Sequence, residues 1–245
     1  MYKGFEPNYG QVGDFEGKRA EGVLFSARDN GLGIFFTQKG VSYVLYETEK
    51  TEEKISNSLK PKNSLLHWAR IDVELVNGDI EKNKIIYEDE LEGYTNYYLP
   101  HCPDGVLFIK SYKKVRIKEV YPGIDWVFRY ENGELHHEFE ISPFADISTI
   151  KMKIKWADVE LKGGKKLILS TPVGRIEDGE LYGYEIASRS KKEVDIFYVK
   201  NEDGTISFKV KDYSGKNPLI IDPPLARLWA TYYGGNAWDE GYSIT

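Results

Sequence analysis

Cysteine is almost absent from this 245-residue chain: Cys102 is the only one, so no internal disulfide can form and stability must come from a buried core. That thiol lies in Pro100-His101-Cys102-Pro103-Asp104, which reads as a loop. One histidine beside one cysteine is too little for a metal site, and nothing there marks a catalytic thiol. Apolar runs of the roughly 18 residues needed to cross a membrane are also missing. Met1-Tyr2-Lys3-Gly4 does not open into the apolar stretch of a signal peptide, so an export signal would have to lie outside these residues. An excess of positive charge is lacking too. The net charge is -6 and the sequence pI about 5.4, which argues against the concentrated basic surface that nucleic acid requires. The densest cationic stretches, 110–118 and 151–155, alternate with apolar residues and read as the wet faces of strands. The chain has no Gly-x-Gly-x-x-Gly leading into a helix, no Walker-type Gly-Lys-Ser/Thr, no Gly-x-Ser-x-Gly and no Cys-x-x-Cys. Nucleotide enzymes and serine hydrolases lose support accordingly, and no cofactor is expected.

What is present in quantity is aromatic: 18 Tyr, 11 Phe and 5 Trp, residues that favour strands over helices. Apolar and polar residues alternate at period two through most of the chain, and helical periodicity is almost absent. Strands are predicted over 23–27, 33–37, 41–46, 69–75, 106–112, 115–120, 124–130, 135–141, 150–156, 159–162, 166–171, 174–177, 193–200, 206–210 and 219–221. Glu131-Asn132-Gly133-Glu134, Asn201-Glu202-Asp203-Gly204 and Lys162-Gly163-Gly164-Lys165 supply positive φ for tight reversals, so neighbouring strands should be antiparallel. Many short strands that must each bury one face are most simply satisfied by two packed sheets. The fold class is therefore all-β, an antiparallel β-sandwich, one large or two closely packed, with few or no helices.

Two stretches break the pattern. Residues 47–63 are polar, rich in Glu and Lys, and read as an excursion between strands; residues 80–92 are acidic and lead into Tyr94-Thr95-Asn96-Tyr97-Tyr98. Ile221-Asp222-Pro223-Pro224 cannot continue a central strand, so one unit is expected over 1–224, with room for a subdivision near 92–104. Residues 225–245 are expected to be a linker and the first strand or strands of a further unit, since so few residues cannot fold alone.

At that boundary, Thr231-Tyr232-Tyr233-Gly234-Gly235-Asn236-Ala237-Trp238-Asp239-Glu240-Gly241-Tyr242-Ser243-Ile244 resembles the opening of the repeat in bacterial SBBP proteins, named for a proposed seven-bladed β-propeller. The family repeat begins Thr-Tyr-Leu-Gly-Gly; here Tyr233 stands in place of the Leu. Upstream, the chain is similar over nearly its whole length to the all-β module preceding those repeats. The similarity runs through Phe5-Glu6-Pro7-Asn8-Tyr9-Gly10-Gln11, Val23-Leu24-Phe25-Ser26-Ala27-Arg28 and Tyr121-Pro122-Gly123-Ile124-Asp125. It continues through Glu138-Phe139-Glu140-Ile141-Ser142-Pro143, Thr171-Pro172-Val173-Gly174 and Pro218-Leu219-Ile220-Ile221-Asp222-Pro223. One departure is Phe144, where the family usually has glycine after the proline. The resemblance implies a large exported, secreted or cell-surface bacterial protein, sometimes associated with gliding or adhesion, whose module has no assigned chemistry.

Candidate sites are sparse. Tyr121-Pro122-Gly123-Ile124-Asp125-Trp126 reads as a type II turn whose Asp125 hydrogen-bonds the turn backbone; the competing reading is a sugar-stacking platform on Trp126. In 136–140 the alternation puts His136, Glu138 and Glu140 on one strand face and His137 with Phe139 on the other. Same-face neighbours about 6 to 7 Å apart do not converge on one metal without a bulge, so a solvated polar face is the simpler reading. A glycosidase needs two suitably spaced carboxylates, for which Asp125, Glu138 and Asp222 are the candidates. The expected role is a non-catalytic structural or interaction module that supports a downstream repeat array in the same polypeptide. A carbohydrate-binding module using Trp126, Tyr97, Tyr98 or Trp238 is the first alternative, and a glycoside hydrolase the second. The apolar stretch containing Leu228, Trp229, Thr231, Tyr232 and Tyr233 should pair with the module's own sheet or with a partner's edge, which allows self-association. A glycan is an alternative partner; nucleic acid and membrane insertion are not expected.

Overall fold

A computed structural model of the chain describes residues 4–29, 32–50, 64–187, 190–223 and 225–228. The strands are β1 (Phe5–Pro7), β2 (Val23–Asp29), β3 (Leu32–Thr37), β4 (Gly40–Lys50), β5 (Ser64–Leu75), β6 (Ile85–Glu90) and β7 (Thr95–Leu99). Next come β8 (Cys102–Ile109), β9 (Tyr112–Tyr121), β10 (Ile124–Glu131), β11 (Glu134–Ile141), β12 (Lys151–Lys155), β13 (Asp158–Lys162) and β14 (Lys166–Ser170). The last are β15 (Arg175–Asp178), β16 (Tyr182–Ala187), β17 (Ser190–Glu193), β18 (Ile196–Lys200), β19 (Ile206–Val210), β20 (Leu219–Asp222) and β21 (Leu225–Leu228). Single 3-10 turns at Lys82–Lys84 and Ile147–Thr149 are the helical elements among the described residues. The protein is all-β and antiparallel, sandwich-like, with no closed barrel.

Turn chemistry sets the hairpins. Asn132 and Gly133 take φ values of 50° and 81°, and Glu131 faces Glu134 across the reversal. Gly163 and Gly164 join β13 to β14, and the turn ending at Gly204 joins β18 to β19. Pro122-Gly123 reverses β9 into β10 with Gly123 at φ 73°, and Asp125 Oδ1 accepts the Glu119 N–H at 2.8 Å, so the carboxylate serves the turn.

The largest sheet runs β17-β16-β20-β11-β10-β9-β1-β2-β3-β4-β5-β12-β19-β18, with β6 paired to β9 off this path. Its two ends, β17 and β18, are joined by only Val194 and Asp195, so the sheet folds back on itself and brings its margins near each other without pairing them into a barrel; the Val194 N–H donates to Gly183 O of β16 at 3.0 Å. The curled halves enclose one buried apolar cluster with members from Phe5 to Ile221. Near its middle Phe25 and Phe36 stack with centroids 4.0 Å apart, and Phe5 meets both edge-on. A four-stranded sheet, β13-β14-β15-β21, adds Leu167, Leu169 and Ile176 to this cluster, and β7 and β8 form a separate two-stranded sheet.

Several sequence expectations shift. The excursion expected over 47–63 is strand up to Lys50 and again from Ser64, because the β4–β5 ladder continues to the pair Lys50–Ser64; residues 51–63 lie outside the described residues. The acidic stretch 80–92 contains β6, whose alternation is broken by Asp89 at φ 58°. The strand expected over 106–112 is divided, β8 ending at Ile109 and β9 opening at Tyr112. β1, β7, β16 and β17 were not foreseen, β1 and β17 being too short to display a period. Phe144 sits at φ 67°, the left-handed conformation that glycine adopts freely. Of the segment expected to open a new unit, Leu225–Leu228 pairs antiparallel with β15, Leu228 facing Arg175. Trp229, Thr231, Tyr232, Tyr233 and Trp238 lie outside the described residues.

Candidate functional site

Trp126 points inward, the opposite of what a sugar-stacking platform needs. It is 2 % exposed and stacks on Phe139 at 5.4 Å, because Ile124, Trp126 and Phe128 form the core face of β10. Trp126 Nε1–H donates to His137 Nδ1 at 3.3 Å, which leaves the imidazole proton on Nε2, facing Asp178 Oδ1 at 3.8 Å. The Tyr198 hydroxyl donates to Asp178 Oδ2 at 3.0 Å. Burial, with the Asp178 carboxylate nearby, pushes the phenols of Tyr198 and Tyr43 well above the ordinary tyrosine range. This Trp–His–Asp–Tyr chain ties β10, β11, β15 and β18 together through the core. All four side chains are buried, so the arrangement satisfies polar groups rather than meeting a substrate.

The opposite face of β10 and β11 carries the acids. His136, Glu138 and Glu140 share it as the alternation predicted, but arginines separate the carboxylates. Arg116 of β9 reaches across β10 to grip Glu140 through Nη1–Oε2 at 2.6 Å and Nη2–Oε1 at 2.8 Å, and also bonds Asp125 at 2.9 Å. Arg129 lies 2.6 Å from Glu138 and 3.1 Å from Asp222. Lys114 and Arg116 pair with Glu88 of β6, and that bonding holds Glu88 below the usual carboxylate range. Burial pushes the Glu138 carboxyl up in spite of its arginine. Each of the three glycosidase candidates, Asp125, Glu138 and Asp222, is therefore held by a guanidinium. No group of three or more metal-ligating side chains is placed to hold an ion among the described residues.

An open cleft of about 400 Å³ lies between the 14–23 segment, the β3–β4 turn and β5. On its floor the Ser42 hydroxyl donates to Asp72 Oδ1 at 2.6 Å and Arg70 Nε to the same oxygen at 2.7 Å. No histidine lines it, so Ser42 has no imidazole to take its proton.

The sequence-predicted aromatics Tyr97 and Tyr98 part company. Tyr97 turns in and its hydroxyl donates to Glu6, whereas Tyr98 is 67 % exposed. Beside it the hairpin exposes two rings that sequence reading missed as site residues, Tyr94 and Phe108, with centroids 4.9 Å apart. The signal was there: Tyr94, Asn96 and Tyr98 fall at i, i+2 and i+4 of an extended segment. Cys102 is buried at the turn end of this hairpin, where it pairs with Leu99.

Residues 5–224 match the protein family described as a domain of unknown function, DUF7948, and the chain belongs to that family. No curated protein and no solved structure matches the chain.

Proposed function

We propose that this DUF7948 domain is a non-catalytic structural and interaction module of a larger exported bacterial protein, displayed at the cell surface or secreted, and coupled through β21 to the next unit of the polypeptide. The observation that carries the reading is that β21 lies just beyond the family match, which ends at residue 224, and yet pairs along the whole of β15. A domain whose small sheet is completed by a strand from outside the family match transmits position and load through backbone hydrogen bonds, while the same strand covers an edge that would otherwise invite a partner. The likeness of 231–244 to the SBBP repeat supports a repeat array as that neighbour and an exported location. The ion pairs at Asp125, Glu138 and Asp222 support a structural over a hydrolytic role, since each carboxylate is engaged by arginine.

Truncation after Asp222 tests the coupling. Loss of β21 is expected to lower the melting temperature by about 2–8 °C, what one to two kcal/mol is worth in a domain of this size, and to raise the solution mass as β15 edges pair. An unchanged melting temperature and mass would overturn it. A second reading, carbohydrate binding, is favoured by one specific observation, the exposed rings of the β7–β8 hairpin.

A further inference from the structure

We propose that the outer face of the β7–β8 hairpin is a platform for a neutral, ribbon-like oligosaccharide, with Tyr94, Tyr98 and Phe108 as stacking rings and Asn96 as the hydrogen-bonding group between them. This names a partner class for the interaction module and rests on that reading.

Alternation along β7 turns Thr95, Tyr97 and Leu99 toward the body of the protein and leaves Asn96 and Tyr98, with the preceding Tyr94, in solvent. Four residues separate Tyr94 from Tyr98, a span of at most about 13 Å at the roughly 3.3 Å per residue of extended chain, which the register shifts of β7 against β8 can only shorten. Opposite them, Phe108 is 63 % exposed at φ 59°, a conformation costly for a bulky residue, and its N–H is held by Asn96 Oδ1 at 2.8 Å. The carbonyl oxygen of Asn96 is thus engaged, and its NH₂ remains to donate to a ligand hydroxyl. Gly105 makes room for Tyr98: a β-carbon there would come within 2.8 Å of the tyrosine Cε1, and Leu107 lies alongside.

The platform is rigid because its underside is fixed. Tyr97 and Thr95 both donate to Glu6, the His101 ring lies 3.1 Å from Gln11 O, and Arg19 Nε donates to His101 O at 3.3 Å. Rings held in place before a ligand arrives spare much of the ordering cost of binding. Aromatic faces are electron-rich, and the apolar C–H faces of a pyranose ring complement them.

Charge and size select the ligand. Residues 91–109 contain no Lys or Arg and only Glu92 and Asp104 as acids, so an anionic polymer finds no counter-charge here. The strip offers Tyr94, Asn96, Tyr98, Leu107 and Phe108, far fewer than the 20 to 30 residues a side, roughly, of a standard protein interface. An uncharged strip of exposed rings, with Tyr94 and Phe108 inclined by 60° to each other, suits a neutral glycan whose equatorial linkages keep it extended while its successive rings can twist along the chain, as in β-1,4-linked glucose.

The 245-residue chain is titrated with cellohexaose, with maltohexaose as a bent neutral control and oligogalacturonate as an anionic one, followed by calorimetry and tyrosine fluorescence. Cellohexaose is expected to bind in preference to both controls. Tyr98→Ala and Phe108→Ala are each expected to weaken binding by about tenfold or more, while Tyr98→Phe retains it. Thermal unfolding of each variant, expected to match the parent because these side chains are exposed, separates lost binding from lost folding. The proposal is overturned if no neutral oligosaccharide binds the folded chain at millimolar concentration, or if binding survives the Tyr98→Ala/Phe108→Ala pair. It is equally overturned if that pair alters oligomeric mass instead, which would assign the face to a protein partner. None of these outcomes bears on the β21 coupling, which is read by mass and melting temperature without glycan.

Discussion

Arg116 and Glu140 are joined by two parallel hydrogen bonds, 2.6 and 2.8 Å long, although they belong to strands that are not neighbours. β10 lies between them, and the guanidinium passes over Val127, which the register places beside Arg116 on one side and Glu138 on the other. One side chain thus fastens three strands, and by also holding Asp125 it fixes the turn that begins β10.

Arg116→Ala should leave Glu140 and Asp125 half-buried without a counter-charge. The expected loss is about 1–3 kcal/mol, below the figure for a fully buried pair because water still reaches the group. Arg116→Lys should recover part of it, since an ammonium cannot bond both Glu140 oxygens in parallel. Urea unfolding measures both; a loss under about 0.5 kcal/mol for the alanine variant would refute the fastening role.

Glu88 gives stability a pH dependence of known sign. Its bonding to Lys114 lowers the folded-state pKa, so its contribution is complete above the ordinary glutamate range and is lost as pH falls through the lower folded value. Glu138 runs the other way: burial raises its pKa, so its charged form costs stability as pH rises past the unfolded value, and acid relieves that cost. Glu88→Gln is therefore expected to destabilise at pH 7 and to converge with the parent in acid. Parallel denaturation curves from pH 7 to pH 3 check this, and a gap that persists unchanged at the acid end would contradict it.

Asp178 holds Tyr198 directly and faces His137, so Asp178→Ala strands polar groups in a dry interior. We expect a loss of roughly 2–4 kcal/mol, against about 1 kcal/mol for Tyr198→Phe, which removes one donor and leaves His137 facing the carboxylate. Chemical denaturation ranks the two, and the reverse order would mean that Asp178 is not the hub.

Phe144 is 81 % exposed and held at φ 67° by its N–H bond to Gly215 O. Phe144→Gly removes about 1–2 kcal/mol of left-handed strain and adds about 0.5–1 kcal/mol of unfolded-chain entropy. A net gain of about 0.5–1 kcal/mol should raise the melting temperature by about 2 °C. A fall on calorimetric scanning would show that the ring makes contacts that outweigh its strain.

Much of the fold was legible because its signals are local. Asn132-Gly133 and Pro122-Gly123 specify their reversals through φ alone, and alternation correctly separated His136, Glu138 and Glu140 from His137 and Phe139. The candidate site was legible only in part: Tyr98 was singled out, but Tyr94 and Phe108 were not, and Trp126, a candidate stacking ring, belongs to the core.

By itself the sequence determined which segments are extended, where they reverse and which side chains share a face, since these depend on two dihedrals per residue and a period of two. Only the tertiary structure decided which face is covered. Trp126 and Tyr98 both sit in extended segments, yet β10 is paired on both sides inside a curled sheet, while β7 pairs only with β8 and leaves its outer face bare. Strand partnership, and the reach of Arg116 over β10 to Glu140, depend on contacts between residues distant in the chain, for which no local pattern carries the information.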